Sequence, residues 1–263
     1  MKAMEQLTFG ACVKKTWGSS WQAIIAMPWL FLGICAVLAC TSLLFDSHMR
    51  GPTGEITTVP SPGNALLWLG SSVLQGALYG VLTIKVHRFV LIGEGVEPLL
   101  PLNGKPLGRY LLVWLSVAAS MVVVGVALFL VVRAAHAFAV LIYVPVIVVF
   151  VFVLTRLSLV YPAIALGSRV KLRAAWNDSR GHVWSIFGVG IVSYLPLVIA
   201  SVIFGIVIGI KRSVLGQHPG LAVTTIGQTL FNAVFIVLAA ASMSWLYRRY
   251  ASELLTHVEN APQ

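Results

Sequence analysis

Acidic residues are scarce in this chain. Eight of its 263 residues are Asp or Glu, against 18 Lys and Arg, and all charged residues together make up only 10% of the sequence. Soluble domains carry about 25%. With 59% hydrophobic residues and a mean hydropathy of +0.92, the chain has more apolar surface than a water-soluble core of this length can hide. Lipid must therefore act as solvent for much of it. Cysteine is also rare, being limited to Cys12, Cys35 and Cys40. Cys35 and Cys40 lie five residues apart, on different faces of a helix, and an odd count without metal spacing reads as reduced packing thiols. The run Val37-Leu38-Ala39-Cys40 has the look of a lipoprotein cleavage box. A long leader before it and five further apolar stretches behind it argue for a retained anchor instead.

Reactive constellations are missing as well. There is no phosphate-binding glycine loop, no zinc-type histidine pair and no serine in a nucleophile elbow. No Asp, Glu, Lys or Arg lies deep in an apolar stretch, which weighs against ion- or proton-coupled transport. No catalytic residue, metal or cofactor is therefore expected. The net charge of +10 invites a nucleic-acid partner, but the basic residues are spread over short loops instead of being gathered on one face. The anionic lipids of a cytoplasmic leaflet are the expected partner, and a membrane-protein partner is left open.

What is present is six apolar stretches, residues 23–44, 65–86, 110–132, 137–155, 186–210 and 222–246. Each approaches the roughly 20 residues a helix needs to cross a bilayer. Pro28 sits in the opening turns of the first, and Pro62-Gly63-Asn64 offers a turn and an N-cap before the second. The gap Arg133-Ala134-Ala135-His136 forces a hairpin, Pro196 is placed to kink the fifth span, and Tyr247-Arg248-Arg249-Tyr250 closes the sixth with aromatic and basic residues.

The cations are sorted between the gaps. Lys2, Lys14 and Lys15; Lys85, Arg88, Lys105 and Arg109; Arg156, Arg169, Lys171, Arg173 and Arg180; and Arg248 and Arg249 fall in one alternating set. The other set holds Arg50, Arg133, Lys211 and Arg212. Cytoplasmic loops retain Lys and Arg. The expected fold is thus all-α: a single-domain, six-span transmembrane bundle in a bacterial cytoplasmic membrane, both termini cytoplasmic.

Two stretches read as interfacial helices. Residues 4–17 align Met4, Leu7, Thr8 and Ala11 on a stripe, and residues 157–176 are mixed apolar and basic, with Pro162 as a breaker. A weak internal repeat sets Ala11, Gly18 and Trp21 against Ala174, Gly181 and Trp184. Arginines end spans two, four and six, which suggests three units of surface helix, two spans and a basic stop.

Polar residues form two clusters at the basic boundary. The first runs from His87 and Arg88 to Glu94; on a continuing helix Arg88 and Glu94 would point about 120° apart. The second is Asn177-Asp178-Ser179-Arg180-Gly181-His182, between Trp176 and Trp184. Either cluster could bind a lipid phosphate, or the two could dock, Asp178 on Arg88 and Arg180 on Glu94. Structural networks shift and pair charges as active sites do, and a structural role is favoured over catalysis. A metal shared by His87 and His182 lacks paired ligand spacing. Within the spans, Gln75, Gln228 and Asn232 stand out, the last two at i and i+4; interhelical hydrogen bonding is the expected role. Gly76/Gly80 and Gly205/Gly209 are small-residue pairs suited to close helix approach.

The stretches His87-Arg88-Phe89-Val90-Leu91-Ile92-Gly93-Glu94, Arg156-Leu157-Ser158-Leu159-Val160-Tyr161-Pro162-Ala163-Ile164-Ala165 and Ala174 to Gly181 with Trp184 resemble uncharacterised bacterial six-span inner-membrane proteins. They are similar to the YciC-like group and to the membrane domain attached to some glycerophosphodiester phosphodiesterases. The resemblance implies a helical bundle in a bacterial cytoplasmic membrane and carries over no catalytic residue. The expected function is non-enzymatic, in support of envelope or lipid organisation. One alternative is a transporter or permease component using the proline-bent spans and the Gln228/Asn232 face. The other is an enzyme on phosphate-bearing lipid using His87, Glu94, Asp178 and His182.

Overall fold

A computed structural model describes residues 8–49, 62–93, 104–135, 139–168, 172–213 and 221–251. Among these residues the regular elements are all helical: α1 (Phe9–Ala26), α2 (Pro28–Met49), α3 (Pro62–Ile92), α4 (Gly104–Ala135), α5 (Ala139–Leu157), α6 (Val160–Ala165), α7 (Leu172–Asp178), α8 (Val183–Ser213) and α9 (Leu221–Tyr250). Six segments are long and apolar enough to cross a membrane: Pro28–Phe45, Leu66–Ile92, Pro106–Arg133, Ile142–Ala165, Val183–Ile210 and Ala222–Tyr250. The chain is a multi-pass membrane protein.

The first span starts later than expected. The helix breaks at Met27 (φ −126°, ψ 51°), so residues 23–26 belong to α1. Proline lacks an N–H, and its ring disfavours the helical conformation at the residue before it, so Pro28 is well placed to begin a helix after the break. α1 is not a simple surface helix either. Thr8 caps it, its Oγ1 accepting from the Ala11 N–H at 3.4 Å, and the stripe it buries is Cys12, Thr16, Ser20 and Ala23. These small residues bring α1 close to α9, where Trp245 Nε1 donates to Ser19 Oγ at 2.8 Å. At its start, the Phe9 ring covers Gly188 of α8.

The second span is longer than its apolar run. α3 starts at Pro62, which suits the first helical position, so Asn64 lies inside the helix and is not its cap. α3 continues through the polar residues Lys85, His87 and Arg88 because backbone bonding outlasts the hydropathy signal. It ends at Gly93 (φ +68°), whose N–H donates to Phe89 O at 3.1 Å. That left-handed turn is one only glycine adopts freely.

Paired contacts fix the helix directions. α8 runs antiparallel to α9, as Ser185 meets Tyr250 and Tyr194 stacks on Phe235. α3 runs parallel to α9, with His87 beside Ser244 and Val90 beside Arg248. α4 runs back along α3, where a Cβ at Gly76 or Gly80 would lie 2.9 Å from the Trp114 or Tyr110 ring. This pair permits the close approach its spacing suggests. Gly205 and Gly209 do not: a Cβ at either meets nothing within 4 Å. The close glycine on α9 is Gly227, against the Phe204 ring of α8.

The largest departure lies between α5 and α8. Residues 157–176 do not lie flat as one interfacial segment. α6 is buried, Pro162 included, and Val160, Ala163, Ile164 and Ala165 lie in a cluster that also holds Ile84, Tyr110, Val189 and Tyr247. Pro162 sits in the first turn of α6, where its missing N–H costs nothing. α6 closes with a Schellman turn: Ser168 N–H donates to Ala163 O at 3.1 Å and Gly167 N–H to Ile164 O at 2.9 Å, with Gly167 at φ +90°. The internal repeat also fails locally. Gly18 is mid-helix in α1, whereas its counterpart Gly181 is a left-handed turn residue (φ +82°).

Candidate functional site

Alternating directions place the ends of α3, α5 and α9 beside α1, α7 and the starts of α4 and α8. The described cations Lys14, Lys15, Lys85, Arg88, Lys105, Arg109, Arg156, Arg173, Arg180, Arg248 and Arg249 fall at this basic end, and Arg133, Lys211 and Arg212 at the other. Both polar clusters expected from the sequence come to this end, each attached to α9.

His87 is fully buried. Its Nδ1 lies 2.7 Å from Ser244 Oγ, and that hydroxyl donates to Ala240 O at 2.8 Å. A hydroxyl has one proton. With it committed to Ala240, Ser244 accepts from His87 Nδ1–H, and Nε2 is left as a bare acceptor. Nε2 has no partner among the described residues, and neither do the buried Thr16 Oγ1 and Tyr247 hydroxyl. These three groups lie on three different helices, α1, α3 and α9.

Asp178 is buried at the end of α7, close enough to Tyr247 for its charge to act on the phenol. Asp178 and Arg88 are each engaged in an interaction. Glu94 lies outside the described residues, so the Arg180–Glu94 contact cannot be placed. Arg180 is exposed in the turn after α7, where its N–H donates to Asn177 O at 3.0 Å. His182 is exposed and stacks on Tyr250, ring centroids 4.5 Å apart. His87 and His182 therefore approach α9 at residues 244 and 250, more than a turn apart. Among the described residues, no three His, Cys, Asp or Glu side chains come together.

Residues that sequence reasoning did not single out as binding groups tie this end together. Arg248 Nη2 donates to Val90 O and Leu91 O, both at 2.7 Å, at the C-terminus of α3. Arg109 Nη1 donates to Gly167 O at 2.8 Å and Ser168 O at 2.9 Å, past the C-terminus of α6. Helix C-termini carry unpaired carbonyls and a partial negative charge, so a guanidinium is well suited to both places. Trp245 holds Lys15 and Arg248 over its ring, at 5.0 and 4.9 Å. Arg156 lies 4.3 Å from the Trp176 ring and 5.1 Å from the Phe152 ring. Two of these contacts have a sequence trace: Phe152 and Arg156 are four apart and Trp245 and Arg248 three apart, so each pair shares a helix face.

The intramembrane polar residues do not converge. Gln228 Nε2 donates to Asn232 Oδ1 at 3.2 Å within α9, and Gln228 is exposed. This corrects the expected interhelical bond: four-residue spacing lets the two amides satisfy each other. Gln75 instead lines a crevice of about 180 Å³ between α2 and α3, with Thr41, Ser42, Trp68, Ser71 and Ser72, toward the end away from the cations.

No protein family, no curated protein and no solved structure matches this chain.

Proposed function

We propose that the chain is a non-enzymatic multi-pass protein of the bacterial cytoplasmic membrane that supports lipid or envelope organisation. Its basic end and both termini face the cytoplasm, where anionic headgroups concentrate. The observation that carries this reading is the gathering of eleven described cations at one end of the bundle, against three at the other. Cytoplasmic-leaflet lipids attract basic residues by about 1 kcal/mol each near the surface. The six-span layout agrees with the kind of protein the sequence resembles.

Two further features support the non-enzymatic assignment. His87, the most chemically capable side chain at this end, is fully buried on Ser244 and out of a substrate's reach. The crevice at Gln75 is lined by residues of α2 and α3 and includes neither Gln228 nor Asn232.

Reporter fusions after Gln263 test the topology. A cytoplasm-dependent reporter should be active there and a periplasm-dependent one silent; the reverse result overturns the orientation. Mass spectrometry of lipids retained through gentle detergent purification tests the lipid role. Enrichment of anionic phospholipid over its share in the bulk membrane is expected, and retention in simple proportion counts against that role.

A further inference from the structure

Arg156 differs from Arg109 and Arg248 in what its donors do. Arg109 and Arg248 are committed to backbone carbonyls. Arg156, in the last turn of α5, donates no hydrogen bond among the described residues, and its Nε is buried without a partner. Two rings hold it instead: Trp176 and Phe152 meet nearly edge to face (centroids 6.4 Å apart, 83°), and the guanidinium lies over both. Stacking fixes the plane of a guanidinium while leaving its N–H fork unspent.

The surroundings say what such a fork would meet. Phe152 is 39% exposed and Trp176 38%, so the cradle opens outward between α5 and α7. Val148, Phe152 and Arg156 recur every four residues on α5 and form one stripe. Val148 is exposed, and the stripe lies within a membrane-spanning segment. Arg173 is exposed on α7 one turn before Trp176 and also makes no hydrogen bond among the described residues. An apolar stripe that climbs to a stacked, unsatisfied guanidinium with a second cation nearby matches a phospholipid in outline: acyl chain below, phosphate above.

We infer that Arg156, framed by Phe152 and Trp176, binds the phosphate of an anionic phospholipid whose acyl chain lies along Val148 and Phe152. Arg173 adds positive charge. The planar fork pairs two phosphate oxygens, and charge-assisted bonds of this kind are the strong ones. The site rests on the lipid-organising reading above and makes it specific to one place on the surface.

Native mass spectrometry of the detergent-purified protein with added phosphatidylglycerol tests it. The wild type should retain the lipid, Arg156→Gln should retain about tenfold less, and Arg156→Lys should fall about threefold, because a point charge replaces a fork. Equal retention by wild type and Arg156→Gln overturns the site. Failure of the wild type itself to retain the lipid overturns the wider reading. If Arg156→Gln does not accumulate, Trp176→Phe keeps the aromatic frame. The fluorescence that separates it from wild type reports Trp176, and phosphatidylglycerol brominated on its acyl chain should quench that share; unquenched emission overturns the site. Inorganic phosphate that displaces the lipid at equal concentration would show a free-anion site and overturn the acyl contact.

Discussion

α9 and α4 cross the same membrane in opposite manners. Half of the α9 window is buried in the protein, whereas 6% of the α4 window is, and α8 matches α4. The reason lies in side-chain size. The buried positions of α9 include Thr225, Thr229, Ala233, Ala240, Ala241, Ser242 and Ser244, small residues that let α1, α2, α3 and α8 come close. Beyond Trp114, α4 turns out Met121, Val122, Val123, Val126, Phe129 and Leu130. In water those would be buried first. In lipid, acyl chains solvate them as well as another helix would, and association relies on close packing and polar bonds. The buried face of α9 is accordingly rich in small and polar residues, whereas the exposed face of α4 is large and apolar.

That contrast is open to direct attack. Ala241→Leu, on the fully buried face of α9, should cost about 1–3 kcal/mol or cause outright failure to accumulate. Val123→Leu on the exposed face of α4 should stay within about 0.5 kcal/mol. Thermal unfolding in detergent compares the two, and equal costs would break the distinction between hub and periphery.

The cations allow a second comparison. Arg248→Gln removes the donor to Val90 O and Leu91 O and should destabilise by about 1.5–3 kcal/mol; Arg180→Gln, at an exposed turn, should barely register in the same assay. Ser244→Ala strands the buried His87 Nδ1–H at a cost of about 1–3 kcal/mol, near the lower bound if Nε2 takes the proton. The smallest effect belongs to Gln228→Leu. Its amide faces outward and bonds only along its own helix, so the melting temperature should hold or rise slightly.

How much of this is legible without coordinates follows the range of each interaction. Six spans and their charge sorting are visible because hydropathy and Lys/Arg placement are properties of contiguous segments. The Gly76/Gly80 pair is visible because its spacing is local, but Gly205/Gly209 has the same spacing and packs against nothing, so spacing alone does not name a partner. α6 is misread because a short apolar run beside basic residues has the composition of an interfacial segment. Its burial depends on room left by α3, α4 and α9, which lie far away in sequence. The destinations of Arg109 and Arg248 are hidden for the same reason: the carbonyls they bond are 58 and 158 residues distant. At the candidate site, sequence reasoning brings His87, Arg88, Asp178, Arg180 and His182 to the right end of the bundle. It does not foresee that His87 is sealed inside or that Arg156 carries the open donors.

The position of α9 along the chain has a consequence for biogenesis. A ribosome completes α1, α2, α3 and α8 before it reaches the helix that all four pack against. Until α9 arrives, the small-residue face of α1 and the imidazole of His87 wait in the bilayer without their partner. Closure of the bundle around α9 is therefore a late step, taken by spans that have already been made and that pack on one another without it.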